Sequence, residues 1–419
     1  MGDISTSATL GVDFGTSNSA VGILLEGKPH IIELEPGNGT IPTSVFFDFP
    51  KAEMLIGTPA NRALIQGREG RFMRSLKSVL GTPLMREKRY LMGQELTFVD
   101  IIARFLHAAK TRAEATTGQR FDRALSGRPV HFHSSDATRD EQALVDLREC
   151  YLTAGFDDVA FMFEPEAAAL ANGALADVGD IGLIVDIGGG TSDFSLFERA
   201  DQGINIIASH GVRVGGTDFD KSISVDHVMP HFGKGSLIGR EMGAGEFTAP
   251  NGIFNDLATW QMIPFLYAGD SKHMVAQLRQ LAKQPELFAR LAEVLDMELG
   301  HDIAFAVERG KIAANRDAAG SALVDLAVVE AGLQVPLSHG DMAGSLAGHV
   351  GKIQACALET LALAGCPVAR VKKVIFVGGS SLMTAVEQAM CTVFPDAELE
   401  YSDAFTAIVD GLAIASARP

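Results

Sequence analysis

Ile184-Val185-Asp186-Ile187-Gly188-Gly189-Gly190-Thr191-Ser192-Asp193 is the stretch that decides how this chain is read. An apolar run carries an aspartate into a glycine turn edged with hydroxyls, and a second apolar run, Phe194 to Phe197, leads away. The pattern recurs near the start as Leu10-Gly11-Val12-Asp13-Phe14-Gly15-Thr16-Ser17-Asn18-Ser19, followed by the run Ala20 to Leu25. Each stretch predicts a β-hairpin with a glycine turn. Glycines let backbone amides approach phosphate oxygens. An aspartate at a strand end suits hydrated Mg2+, which takes few carboxylates and keeps several waters. The hydroxyls of Thr16, Ser17 and Thr191 are candidate phosphate donors. One such hairpin also reads as an ordinary Asp-Gly turn. Two of them, matched and followed by a third glycine pair at Gly378-Gly379 after the short apolar strand Val371 to Val377, argue against coincidence. One hairpin in each half predicts two similar lobes: 1–179 as lobe I, 180–403 as lobe II, and 404–419 as a helix packing back on lobe I.

Working outward, Phe98, Ile101, Ile102, Phe105, Leu106 and Ala109 repeat at helical spacing and stop near Gly118. Thr138 and Glu141 read as a capping box opening a helix with Leu144, Leu147 and Tyr151 on one face. Pro165 fits the first turn of a helix running through Ala167 to Ala176. Residues 233–252 read as a glycine-rich loop, 271–315 as helices interrupted at Pro285, and 406–417 as a packed apolar helix. Strands mixed with amphipathic helices predict an α/β architecture.

With 419 residues, 47% hydrophobic and 21% charged, the chain is globular rather than disordered, and its length predicts two or three folding units. No run of about 18 uncharged apolar residues exists, and residues 1–9 lack a signal peptide's basic and apolar regions, which predicts a cytoplasmic protein. Four cysteines without a C-x-x-C spacing read as buried thiols. A net charge of −17 argues against nucleic acid or an anionic membrane as partner. A nucleotide held by backbone amides and a bridging cation remains compatible with that charge. His131-Phe132-His133 reads as an alternating strand pair. His227 and His231 have helical spacing, but Pro230 and the missing third ligand argue against zinc.

In order along the chain stand Gly11 to Ser19, Phe163-Glu164-Pro165-Glu166-Ala167-Ala168-Ala169, Val185 to Asp193, Val214-Gly215-Gly216-Thr217-Asp218-Phe219-Asp220, and Phe376-Val377-Gly378-Gly379-Ser380. This series resembles the nucleotide-binding domain of the heat shock protein 70 family, the DnaK-like chaperones, and within it the short YegD-like branch. The resemblance implies a two-lobed actin-like ATPase fold, with duplicated ribonuclease H-like domains and a central nucleotide cleft. It implies that Asp13 and Asp186 position Mg2+ through waters. Gly15, Thr16, Ser17 and Asn18 would line one phosphate loop, and Gly188, Gly189, Gly190 and Thr191 the other. Lys77 falls at the family's catalytic lysine, and Glu164 at the glutamate that polarises the attacking water; Asp186 and Thr191 complete that catalytic set. Without the resemblance, Lys77 reads as a solvated helix lysine and Glu164 as a helix N-terminal acid. Gly215, Gly216, Glu308, Lys311, Gly378, Gly379 and Ser380 match residues on the nucleotide's remaining contacts. Ile312 and Leu382 stand where the family has arginines that stack on adenine, so weaker or less selective base binding is expected.

The implied function is an ATP-binding, slowly hydrolysing, chaperone-like switch that cycles between ATP and ADP on a protein client or co-chaperone. Mg2+ would be the cofactor metal, with K+ the one further ion left open. The family's apolar linker and peptide-binding sandwich have no counterpart before Pro419, so peptide capture by that groove is not expected of this chain. A filament-forming actin-like ATPase and a small-molecule kinase share the fold. The kinase reading has Asp193 as its one base candidate.

Overall fold

Both glycine-turn hairpins form. Thr9–Phe14 pairs antiparallel with Asn18–Leu25, and Ile181–Ile187 with Ser192–Arg199. Asp13 faces Ala20 and Phe14 faces Ser19; Asp186 faces Asp193 and Ile187 faces Ser192, so the two turns are equal in length. The computed structural model describes residues 8–133, 136–171, 177–201, 203–240, 244–316, 321–401 and 406–417.

Each hairpin sits at the centre of a sheet. The first sheet runs Asp158–Phe163, Arg123–Arg128, Thr9–Phe14, Asn18–Leu25, Lys28–Ile31, with Thr40–Pro42 also on the hairpin's second strand. The second runs Ile204–Val212, Ser192–Arg199, Ile181–Ile187, Val371–Val377, Glu398–Tyr401. In both, the aspartate-bearing strand has antiparallel neighbours on one side and two successive parallel neighbours on the other. The sheet is therefore the same unit built twice. Its central strands read as continuous apolar runs because they are covered on both faces, as parallel strands require; Leu183, Ile184 and Val185 are buried. Beside the first sheet, helix Phe98–Thr117 opens on a Thr97–Asp100 capping box and ends on Gly118 in the left-handed region, where the sequence places its stop. Its Ile101, Ile102 and Phe105 share a core with Leu10, Val12 and Phe14, and with Leu147 and Tyr151 of helix Ala137–Thr153.

Helix Ala407–Ser416 packs on Thr9–Phe14, Asn18–Leu25 and helix Glu164–Ala171. The approach is backbone to backbone: a Cβ at Gly411 would stand 1.8 Å from the Ala167 carbonyl oxygen, and one at Gly11 3.0 Å from the Ala413 nitrogen. The small residues of this apolar helix exist to allow that contact.

Several expectations need correction. Helix Ala137–Thr153 is capped by Asp136, whose carboxylate accepts from the Arg139 amide at 3.1 Å, so Thr138 lies inside the first turn rather than at the cap. His131 and His133 are not on a strand, because pairing stops at Arg128, before Pro129 removes a donor. The stretch 233–252, expected as loop, contains an antiparallel strand pair, Leu237–Gly239 with Glu246–Thr248. Pro285 opens a helix as expected, but the chain breaks again at Glu298, which has φ +57°, before helix Gly300–Arg316. Cys150 and Cys356 are buried, whereas Cys366 is half-buried and Cys391 exposed. Of the expected helix after Pro165, residues 172–176 lie outside the described residues.

Contacts divide the chain into two compact units. The first contains Met1–Arg213, Gln354–Leu382 and Glu387–Pro419, and so holds both sheets. The second contains Val214–Ile353 and Met383–Val386, with helices Gly216–Ile223 and Gly300–Arg316 beside the strand pair Ser321–Asp325 and Gln334–Ser338. Among the described residues, no helix is long and apolar enough to cross a membrane.

Two glycine-to-alanine changes should have opposite signs. Gly411→Ala, driven against backbone, is expected to destabilise by about 3 kcal/mol, the upper end of overpacking penalties. Gly344→Ala, with open space around its Cβ on helix His339–Leu363, should stabilise by about 0.5–1 kcal/mol. Urea denaturation checks both; a Gly411→Ala protein as stable as its parent would mean that this helix is seated differently.

Candidate functional site

Three parallel strands of the first sheet, Thr9–Phe14, Arg123–Arg128 and Asp158–Phe163, end at the same edge. That edge receives Asp13, Arg128 and, one residue past the third strand, Glu164. In the second sheet Asp186 pairs with Val377, and Gly378 follows directly. Carboxyl ends of parallel strands are where α/β sheets gather ligands.

The two glycine turns meet. A Cβ at Gly189 would lie 2.2 Å from the Ser17 hydroxyl, so glycine lets the second turn approach the first without displacing that side chain. Gly378, at φ +82°, is forced: a Cβ there would stand 2.6 Å from the Ile187 carbonyl oxygen and 2.7 Å from Asp186 Oδ1. Within the turns, the Gly188 amide donates to the Thr191 carbonyl at 2.9 Å and the Thr43 amide to the Ser17 carbonyl at 2.8 Å. A buried hydroxyl pair, Ser19 and Thr43 at 2.7 Å, braces the first turn. Thr16 and Ser17 are partly exposed; Asn18, Gly190 and Thr191 are exposed. The Thr191 hydroxyl donates to Asp193 at 3.3 Å.

Lys77 sits in the short 3₁₀ turn Leu76–Val79, with Nζ 2.5 Å from Glu164 Oε1. Their side chains are 9% and 11% exposed, which rules out a solvated helix lysine. Burial works to lower the lysine pKa, but the carboxylates of Glu164, Asp13 and Asp186 outweigh it and the net shift is upward. The acids respond in kind. Burial, then the Glu164 charge, pushes Asp13 up to about 7 against the pull of Lys77. Burial, then Glu164, pushes Asp193 to about 6, with the Thr191 hydroxyl, Lys77 and His131 opposing. Asp186 is raised well above the ordinary carboxylate range by burial and by the charges of Glu164, Asp193 and Asp13.

One ammonium therefore answers four carboxylates, and the surplus negative charge fits a cation. Among the described residues no three His, Cys, Asp or Glu side chains are placed to ligate a metal together. Hydrated Mg2+ takes one or two carboxylates and keeps its own waters, a demand that carboxylates at the strand ends can meet. Asp13 and Asp186 are the residues that would hold it.

Two neighbours were not among the expected site residues. The Arg128 guanidinium lies over the Phe132 and Phe163 rings, 5.5 and 5.0 Å from their centroids, and donates to the carbonyls of Pro129 and Val130. Burial lowers its pKa, with Asp140 and Glu164 opposing. A cation at the end of a parallel strand was the available signal. His131 Nδ1 stands 3.5 Å from Asp140 Oδ2, and its charge bears on Asp193, a proximity that spacing along the chain does not encode.

The remaining candidates are divided between the units. In the first, Gly379 and Ser380 lie in the 3₁₀ turn Gly379–Leu382, where the Ser381 hydroxyl donates to the Gly378 carbonyl at 2.6 Å; Leu382 is exposed. In the second, Gly215 and Gly216 are buried at the start of helix Gly216–Ile223, the Gly215 amide donating to Asp218 at 2.9 Å. Lys311 is buried and pairs with Asp220 at 2.8 Å, while Glu308 and Ile312 are exposed. His227 is bonded to the Ser345 hydroxyl at 3.1 Å.

Two sheets of one topology, each carrying an aspartate into a glycine turn and the turns in contact, define an actin-like ATPase fold. The profile of the Hsp70 protein family matches residues 9–242, more than half of the chain, and the chain belongs to that family. The chaperone protein DnaK of Halobacterium salinarum, from strains R1 and NRC-1, is 33% identical over 233 residues, which is 55% of this chain and 34% of the relative. The chain thus spans about a third of the length of these curated relatives. The matched segment contains both glycine turns, Lys77 and Glu164; Glu308, Lys311 and Gly378 to Ser380 fall outside it.

The raised carboxylates predict a pH dependence. Between about pH 4 and 7 folded Asp13 binds a proton that the unfolded chain has already released, so its contribution to stability is present below pH 4 and is lost as the pH rises to 7. Asp13→Asn should therefore stabilise the nucleotide-free protein at pH 8 by about 1–2 kcal/mol and match its parent near pH 4. Urea denaturation at the two pH values checks it; an equal or lower stability at pH 8 would remove Asp13 from the charged cluster.

Proposed function

We infer that this chain binds Mg·ATP and hydrolyses it slowly, working as a nucleotide-driven, chaperone-like switch on a partner protein. The observation that carries the reading is the buried Lys77–Glu164 pair among the carboxylates that the two glycine turns present. Phosphoryl transfer leaves the protein little covalent work, so catalysis is positioning and charge stabilisation. The turn amides, with the hydroxyls of Thr16, Ser17 and Thr191, bind phosphate oxygens. Glu164, held by Lys77, orients the attacking water for in-line displacement, and the Lys77 ammonium stabilises charge on the transferred group. Mg2+, when held through waters by Asp13 and Asp186, supplies neutralisation of the phosphate charge.

The nucleoside end belongs to the same proposal. Gly215, Gly216, Glu308, Lys311, Gly378, Gly379 and Ser380 would contact it. Ile312 and Leu382 offer aliphatic faces where stacking arginines would discriminate adenine. Lobes 1–179 and 180–403, with the helix of 404–419 returning to the first, are the bodies that the nucleotide would move. A protein client or co-chaperone is the proposed partner, and the cytoplasm the proposed location. The DnaK relatives, chaperones by name, support the class of partner.

Two variants test the reading in purified protein. Asp186→Asn is expected to lose Mg2+-dependent phosphate release with an unchanged circular dichroism spectrum. Lys77→Ala should slow single-turnover hydrolysis by roughly 10²–10³-fold, the scale of one preorganised electrostatic group, while ATP affinity changes much less. Parental turnover in both variants would remove Asp186 and Lys77 from the catalytic site.

A further inference from the structure

The turn that carries Lys77 has little to hold it from within. It is a four-residue 3₁₀ turn, a weak element in isolation, and it opens on Ser75 at φ +57°, a conformation that non-glycine residues rarely adopt. A lysine stem is also among the most flexible side chains. The restraint lies at the exit of the turn. The Leu80 carbonyl accepts from His133 Nε2 at 2.7 Å, which places the proton on that nitrogen. The next amide, that of Gly81, donates to Asp146 Oδ2 at 2.9 Å. Gly81 has φ +75°, and a Cβ there would stand 2.2 Å from the Arg139 carbonyl oxygen, so the chain lies directly against helix Ala137–Thr153.

Asp146 is 1% exposed, on the same helix face as Ala143, Leu147 and Cys150. A carboxylate at such a position is costly unless fully bonded. Here its other oxygen accepts from Arg86 Nη2 at 2.9 Å and Gln142 Nε2 at 2.8 Å. An apolar residue would fill the space without that demand, so the useful property of Asp146 is its acceptor aimed at Gly81. His133 is itself fixed, since Asp140 Oδ1 accepts from the amides of Phe132 and His133 at 2.5 and 3.1 Å.

We propose that Asp146 and His133 are positioning residues for Lys77, acting through the backbone of Gly81 and Leu80 to hold the ammonium against Glu164. The proposal rests on the catalytic reading of Lys77 given above. Displacement of a catalytic group by about 1 Å can slow a reaction by as much as 10²-fold with little effect on binding.

The test uses the full chain and single-turnover ATP hydrolysis, with ATP affinity from calorimetry. His133→Ala and Asp146→Asn should each slow hydrolysis about tenfold and leave ATP affinity within about twofold. His133→Gln, which keeps an N–H for the Leu80 carbonyl, should recover most of the rate. In a Lys77→Ala background neither change should slow the reaction further, because the group they position is gone. Losses that multiply undiminished with that of Lys77→Ala, or single variants at the parental rate, would overturn the proposal while leaving the role of Lys77 intact. A parental rate in Lys77→Ala itself would overturn both. Should Asp146→Asn fail to fold, the His133 pair decides the outcome alone.

Discussion

Buried charge that is only partly neutralised organises this site. One ammonium, that of Lys77, faces Asp13, Glu164, Asp186 and Asp193, and three of those four acids are driven upward in pKa. Placing unlike numbers of charges in a low-dielectric pocket is unfavourable in the free protein, and a fold keeps such an arrangement where a further cation relieves it. The pH dependence of stability, the suitability for a hydrated divalent ion and the tight Lys77–Glu164 contact all follow from that surplus. Function and stability are opposed here: the acids that would serve the nucleotide destabilise the protein without it.

Close backbone approach is the second constraint, and glycine meets it at each critical place. Gly189 lets the second turn reach Ser17, Gly378 lets the chain pass the Asp186 carboxylate, and Gly411 seats helix Ala407–Ser416 on helix Glu164–Ala171. The helix that starts at Glu164 is therefore located by contact with another helix from far along the chain. The position of the candidate water-orienting acid depends on packing between Ala167 and Gly411 as much as on the strand that leads into it. Lys77 is placed with similar indirectness, through a turn whose exit is bonded to helix Ala137–Thr153.

Local signals were accurate where one energetic preference dominated. The helix from Phe98 announced itself by apolar spacing and a glycine stop, and Val371–Val377 by its length and composition. They misled where two signals compete over a few residues. Thr138 was a plausible cap, but Asp136, extended and two residues earlier, took the Arg139 amide. Alternation at His131 and His133 suggested a strand, yet Pro129 had already ended pairing. At 233–252 the glycine content suggested loop, yet two three-residue strands pair there, too short for alternation along the chain to reveal them.

What the sequence by itself determined is the pair of aspartate–glycine turns, because phosphate approach and tight reversal both demand glycine at fixed positions relative to an acid. It also carried the order of motifs by which Lys77 and Glu164 could be singled out. Only the tertiary structure decided that Lys77 is buried and paired, that the two turns touch, and that Arg128 and His131 bear electrostatically on Glu164 and Asp193. The physical reason is range. Turn chemistry and helix periodicity are set by neighbours a few residues away, whereas burial, desolvation and charge pairing depend on which distant segments the folded chain brings within a few ångströms.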